Sequence, residues 1–171
     1  MKKILIFLTI CFLNISCSVV RAEEEGGTMK ITSTAFAHNT MIPKKYTCQG
    51  SDINPPLEIS RIPEAAKSLV LIVDDPDAPG ATWVHWVVYN IPVSERIAEN
   101  SVPGEQGEND FGKRKYGGPC PPGGTHRYFF KIYALDTTLA SRGNMTKKDL
   151  EYAMKPHILA EAELIGLYKK S

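Results

Sequence analysis

Three runs of strand-forming residues set the limits on what this chain can fold into. Leu69-Val70-Leu71-Ile72-Val73 is apolar at every position. Successive side chains of a strand point to opposite sides, so a run of this kind needs cover on both faces. Trp83 to Ile91 has the same character, with Val84, Trp86 and Val88 on one parity and Trp83, His85, Val87 and Tyr89 on the other. His126 to Leu135 supplies a third central strand. Such strands predict a mainly β, single-domain antiparallel sandwich, with one or two short helices at its edge. At 171 residues the chain is long enough for one domain with a sizeable core.

The remaining elements are shorter. Lys30 to Phe36 is β-prone and opens the domain, which spans residues 29–171. Ile42 to Tyr46 predicts another short strand, and Leu57 to Ile59 a strand fragment. Between them, Cys48 to Pro56 reads as an extended loop, because Pro55 and Pro56 exclude a helix. Thr146-Lys147-Lys148-Asp149 resembles a capping box and predicts a short helix to about Lys155, interrupted at Pro156. His157 to Tyr168 is ambiguous, since its Ala and Glu residues favour a helix. Residues 92–125 form a long segment rich in Gly, Pro, Glu and Asn, and a connection of that length is usually functional.

The end of that segment is the most informative loop. Tyr116-Gly117-Gly118-Pro119-Cys120-Pro121-Pro122-Gly123-Gly124-Thr125 leads into His126-Arg127-Tyr128. Its glycines let backbone N–H groups approach a ligand, and its prolines hold the loop in shape. His126 and Tyr128 share a parity and Arg127 has the other. A His, a Tyr hydroxyl and backbone donors suit a phosphate, sulfate or carboxylate. The plainer alternative is a tight β-connection with a structurally satisfied histidine.

A second stretch, Asp74-Asp75-Pro76-Asp77-Ala78-Pro79-Gly80, closes the apolar run and is followed by Trp83-Val84-His85-Trp86. The Asp-Pro-Asp-Ala-Pro run at 75–79, the His-Trp pair at 85–86 and the run ending His126-Arg127-Tyr128 resemble the phosphatidylethanolamine-binding protein family, also called Raf-kinase-inhibitor-like proteins. Similarity runs from about Met29 to Tyr168, and the short loop after Pro79 resembles the bacterial and archaeal branch. The resemblance implies a strand for residues 157–168. It also implies a ligand pocket built from Asp75, His85, Gly118, Pro122, His126 and Tyr128. In that pocket His85 is expected to offer a ring N–H to the ligand while Asp75 accepts from its other nitrogen and favours the charged ring. Trp83 or Trp86 is expected to form an apolar wall. Asp77 and Arg127 are expected to form a structural ion pair beneath the site.

The first residues carry a different message. Lys2 and Lys3 precede an apolar stretch from Ile4 to Ile15, and Val20-Arg21-Ala22 fits a cleavage site after Ala22. Residues 1–22 therefore predict a signal peptide and residues 23–28 a flexible, acidic linker, for a periplasmic or secreted protein. The competing expectation is a lipoprotein anchored through Cys17, although Asn14 stands where Leu is usual. Either route leaves Cys48 and Cys120 in the mature domain. An oxidising compartment favours a disulfide between them, with free buried thiols as the alternative. The resemblance places the Cys48 loop near the pocket, and Cys120 stands where many relatives carry Gly.

Several function classes lack their signatures. A net charge of +1 gives no reason to expect nucleic-acid binding. Neither Gly-x-Ser-x-Gly nor His-Glu-x-x-His occurs, and an Asp–His pair without a nucleophile is half a triad. The expectation is a non-catalytic protein with no metal or cofactor that binds a small anion or phospholipid head group. The alternative is an inhibitor or modulator of a partner such as a serine protease or kinase, for which residues 92–115 are the one long loop.

Overall fold

A computed structural model describes residues 28–171, so the expected signal peptide, Cys17 and all but the last residue of the expected linker lie outside the described residues. In chain order the strands are β1 (Lys30–Thr32), β2 (Thr40–Met41), β3 (Leu57–Ser60), β4 (Ser68–Asp75), β5 (Trp83–Ile91), β6 (Arg96–Ile97), β7 (Glu105–Gln106), β8 (Thr125–Leu135) and β9 (Ile158–Lys169). Among the described residues a single α-helix, α1 (Lys147–Met154), precedes β9, and short 3-10 turns occupy Lys44–Tyr46 and Lys155–His157.

The strands form two sheets, a small one ordered β1-β3-β6 and a large one ordered β2-β9-β8-β4-β5-β7. All pairs are antiparallel except that of β2 with β9, which is parallel and two residues long. Ile31, Leu57, Ile59 and Ile97 of the small sheet pack with Leu69, Leu71, Val73, Trp86, Val88, Phe130 and Ile132 of the large one. On the opposite face of the large sheet, Val70, Ile72, Val87 and Tyr89 pack under Leu139, Met145, Leu150 and Met154. All eight residues of β4 are buried, as a run apolar on both faces requires.

Helix α1 starts where the capping motif places it: Thr146 caps it, and Asp149 completes the reciprocal box. Its first residue, Lys147, reaches the fully buried Asp74 carboxylate at 2.6 Å, and Lys131 of β8 holds the same carboxylate at 3.0 Å. This triad ties the helix to the sheet through the residue beside Asp75. The final segment is strand β9 along its whole length, paired with β8 from Thr125–Lys169 to Leu135–Ile158.

Two sequence expectations fail for identifiable reasons. Ile42 to Tyr46 is not a strand. Ile42 N–H bonds the Leu167 carbonyl, but Pro43 has no N–H to continue the ladder, and the chain turns into the 3-10 turn. Nor is the long segment a free loop. Ile97 pairs with Leu57 and Gln106 with Val88, so β6 and β7 fix it to one sheet each.

Candidate functional site

β4 ends, and β5 and β8 begin, at the same edge of the large sheet, where Asp75 pairs with Trp83 and Asp74 with Phe129. The motifs therefore converge because the strands run antiparallel. One irregularity then decides the site. Val73 pairs with Trp86 but Asp74 pairs with Val84, so His85 is an extra residue on β5. Such a bulge breaks alternation and re-aims a side chain. Val84 packs on the helix side with Val87 and Tyr89, whereas Trp86 packs between the sheets. The bulge brings His85 onto the inner face as well, where its ring lies edge-on to Tyr128 at 5.2 Å. The parity predicted for Trp83 and His85 is thus reversed.

His85 and His126 are both buried. His85 Nδ1 donates to the Gly117 carbonyl at 2.7 Å, and His126 Nδ1 donates to Asp75 Oδ2 at 2.7 Å. The carboxylate expected on His85 is therefore on His126, because the bulge turns His85 towards the 116–124 loop instead. Each ring is held through Nδ1, and neither Nε2 bonds another described residue. Burial pushes the His85 pKa down, against the opposing pull of the Gly117 carbonyl and the Asp75 charge. The ring that was expected to favour its charged form is thus biased towards neutrality.

Tyr128 completes the cluster. Its hydroxyl is the one fully buried side-chain nitrogen or oxygen among the described residues that makes no well-formed hydrogen bond, although the Asp75 carboxylate and the Cys120 backbone are close enough to act on it. Burial pushes its pKa far up, and the Asp75 charge adds to the rise, so it stays a neutral donor. Trp86 is core, with its indole N–H on Gln106 at 2.8 Å. Trp83 is the outer wall, 5.4 Å from Phe111, and Phe111 lies 5.4 Å from His85. Phe111 was not foreseen. The Asn109-Asp110-Phe111-Gly112 turn signature was its only sign in the sequence, and Asn109 holds that turn through the N–H groups of Phe111 and Lys113.

Gly118 and Pro122 play different parts from those expected. The Gly118 N–H donates to Asp52 Oδ1 at 2.7 Å, and the Gly117 N–H to the His85 carbonyl at 3.1 Å, so neither is free for an anion. A Cβ at Gly118 would lie 2.6 Å from the Tyr46 carbonyl, so glycine there serves close backbone packing. Pro122 is exposed on the bend that leads through Gly123 and Gly124 into β8. Cys48 and Cys120 form a disulfide that ties this loop to the 44–56 segment, beside a cleft of about 120 Å³. Among the described residues no three His, Cys, Asp or Glu side chains are grouped to hold a metal ion.

Asp77 and Arg127 do pair, with Nε and Nη2 of the guanidinium at 2.9 and 2.7 Å. The pair lies at the surface, not beneath the site: the Arg127 side chain is 52% exposed. Hydrogen bonding from Arg127 holds the Asp77 carboxyl down at about 2 from an ordinary 3.8. A carboxylate with a depressed folded value adds stability that is complete above its unfolded pKa and disappears as pH falls through the folded one. Here that window runs from about pH 4 down to pH 2, and the exposure of Arg127 keeps the amount small. Arg127→Ala should return Asp77 towards 3.8 in a carboxyl NMR titration. An unmoved Asp77 pKa would mean that the pairing is not what lowers it.

A family model for phosphatidylethanolamine-binding protein matches residues 32–169. A UPF0098 protein of Pyrococcus abyssi is 47% identical over 182 residues, covering 99% of each chain. The crystal structure of the homolog CT736 from Chlamydia trachomatis aligns with a TM-score of 0.82 and 48% identity, covering 84% of this chain and 99% of that one. Escherichia coli YbcL, described as a member of the mammalian PEBP family, aligns at 0.78 with 30% identity, covering 85% of this chain and all of that one. The bulged His85, the Asp75–His126 pair and Tyr128 therefore stand on a fold shared with these proteins, and the chain belongs to the phosphatidylethanolamine-binding protein family.

Proposed function

We propose that this protein binds the phosphate of a phospholipid head group or another small phosphate-bearing anion between His85, His126 and Tyr128. The Tyr128 hydroxyl carries the proposal: it is buried, neutral and without a well-formed hydrogen bond, with only Asp75 and the Cys120 backbone near it, beside two rings whose Nδ1 atoms are already engaged. A buried donor without a partner costs roughly 1–3 kcal/mol, a cost a ligand oxygen would recover. Asp75 would orient His126, as the Gly117 carbonyl orients His85. The oxygens would be read by side chains, since Gly117 and Gly118 spend their N–H groups within the protein. Capture of a protease through residues 92–115 gains no support, because β6, β7 and Asn109 pin that segment.

Export remains part of the proposal, supported by the exposed disulfide, which persists in oxidising compartments. The intact mass of protein from its native host would show loss of residues 1–22 or a lipidated Cys17, whereas retention of Met1 would refute export.

Calorimetric titration with phosphoethanolamine tests the pocket. Tyr128→Phe removes one donor and no packing volume, so affinity should fall roughly tenfold while the melting temperature holds or rises. An unchanged affinity would place the ligand elsewhere.

A further inference from the structure

We propose that the surface around the mouth of the pocket docks on an anionic phospholipid bilayer, with Trp83 and Phe111 entering the interface and Lys113 and Lys115 drawing the membrane in. The inference rests on the pocket reading only for what the membrane would present, not for the docking itself.

Trp83 and Phe111 are 39% and 40% exposed, whereas the second tryptophan, Trp86, is 1% exposed. The two exposed rings touch edge-on at 5.4 Å and form one continuous apolar shelf. Phe111 also lines the cleft shared by Lys113, Lys115, Gly117 and the Cys48–Cys120 bridge, so shelf, lysines and cleft are contiguous. The arrangement is rigid: Asn109 Oδ1 accepts from the N–H groups of both Phe111 and Lys113, and Asn109 Nδ2 donates to the Lys115 carbonyl.

Two unpaired lysines on this surface suit an anionic partner. Lys113 and Lys115 are exposed and enter no ion pair among the described residues. Of the nearby acids, Asp77 is paired with Arg127, whereas Asp52 and Asp110 keep their charge but are tied to the backbone N–H groups of Gly118 and Val84 and not to the lysines. Arg114 turns away to Asn144. Amphipathic aromatic rings settle at the level of lipid head groups, and lysines near an anionic leaflet each contribute about 1 kcal/mol. An aromatic shelf beside lysines, at the mouth of a pocket with phosphate-binding chemistry, suits a leaflet better than a groove-filling peptide.

The full-length mature protein can be mixed with vesicles of phosphatidylcholine, with or without phosphatidylglycerol. Trp83 emission should shift to the blue and be quenched by brominated acyl chains only with the anionic vesicles, and Trp83→Phe should remove the signal. Lys113→Ala and Lys115→Ala should each lower partitioning about fivefold, less at high salt, without disturbing phosphoethanolamine affinity in solution. His126→Asn should do the reverse, losing phosphoethanolamine while partitioning as the parent does. Absence of a blue shift, partitioning indifferent to the lysines, or loss of docking in His126→Asn alone would overturn the proposal. Docking by a parent protein that ignores phosphoethanolamine would instead refute the pocket reading and leave the docking surface standing.

Discussion

A Cys48→Ala, Cys120→Ala protein should unfold with about 4 kcal/mol less stability than the parent, the value chain entropy gives for a loop of this length. The bridge closes a separation of 72 residues, which makes its effect on the unfolded chain large. The segments it joins depend on each other in the folded state too. Cys48 N–H bonds the Pro119 carbonyl, Gly118 N–H bonds Asp52, and Tyr116 donates to the Tyr46 carbonyl at 2.9 Å. These contacts survive in the double variant, so it should still fold. Urea unfolding with and without reductant checks the expectation. Reductant should bring the parent midpoint to that of the double variant and leave the variant where it is. A parent midpoint indifferent to reductant would mean that the bridge adds nothing.

The second large effect concerns the imidazoles. His85→Asn and His126→Asn each keep a short N–H donor for Gly117 or Asp75 but delete Nε2. Each should weaken phosphoethanolamine binding by roughly tenfold or more, the scale of a hydrogen bond to a charged group. The pH dependence follows from His85. Burial lowers its pKa, so in the free protein the ring is mostly neutral above its ordinary value near 6.5. A phosphate favours the protonated ring, and binding should therefore take up a proton and tighten as pH falls. Stability of the free protein should move the other way. A depressed histidine means that the unfolded chain binds more protons just below pH 6.5, so stability falls as pH drops there. Calorimetry in buffers of different ionisation enthalpy reads the proton directly. Release of protons on binding, or parent-like affinity in both Asn variants, would contradict the arrangement.

Much of the scaffold could be read from the chain. The run 69–73 forces a doubly covered strand, and Thr146 with Asp149 marks the helix start. Residues 157–168 were legible only through the family resemblance. Ala and Glu permit either structure locally, and pairing with β8 decides for the strand. The site was legible as a set of residues but not as a set of bonds. Alternation assigned the faces of His126, Arg127 and Tyr128 correctly because β8 is regular there. It failed at His85, since a bulge carries no signature in Trp83-Val84-His85-Trp86 and arises from how β4 and β5 must meet. Asp75 faces His126 through the unbroken β4–β8 register, which puts both on the face of Val73 and Tyr128. The loop donors were misjudged because the acceptors that consume them, Asp52 and the His85 carbonyl, come from distant segments. Arg127 was expected beneath the site because its partner was foreseen but its exposure was not.

The central claim is that both Nε2 atoms and the Tyr128 hydroxyl face one ligand. Long-range ¹H–¹⁵N correlation spectra of the two imidazoles, recorded as phosphoethanolamine is added, test it most directly. The account predicts that Nε2 of both His85 and His126 shifts in one saturable step, that each Nδ1 stays protonated on its present partner, and that His38 and His157 do not move. Nε2 signals of His85 and His126 that stay fixed while the ligand binds would contradict it.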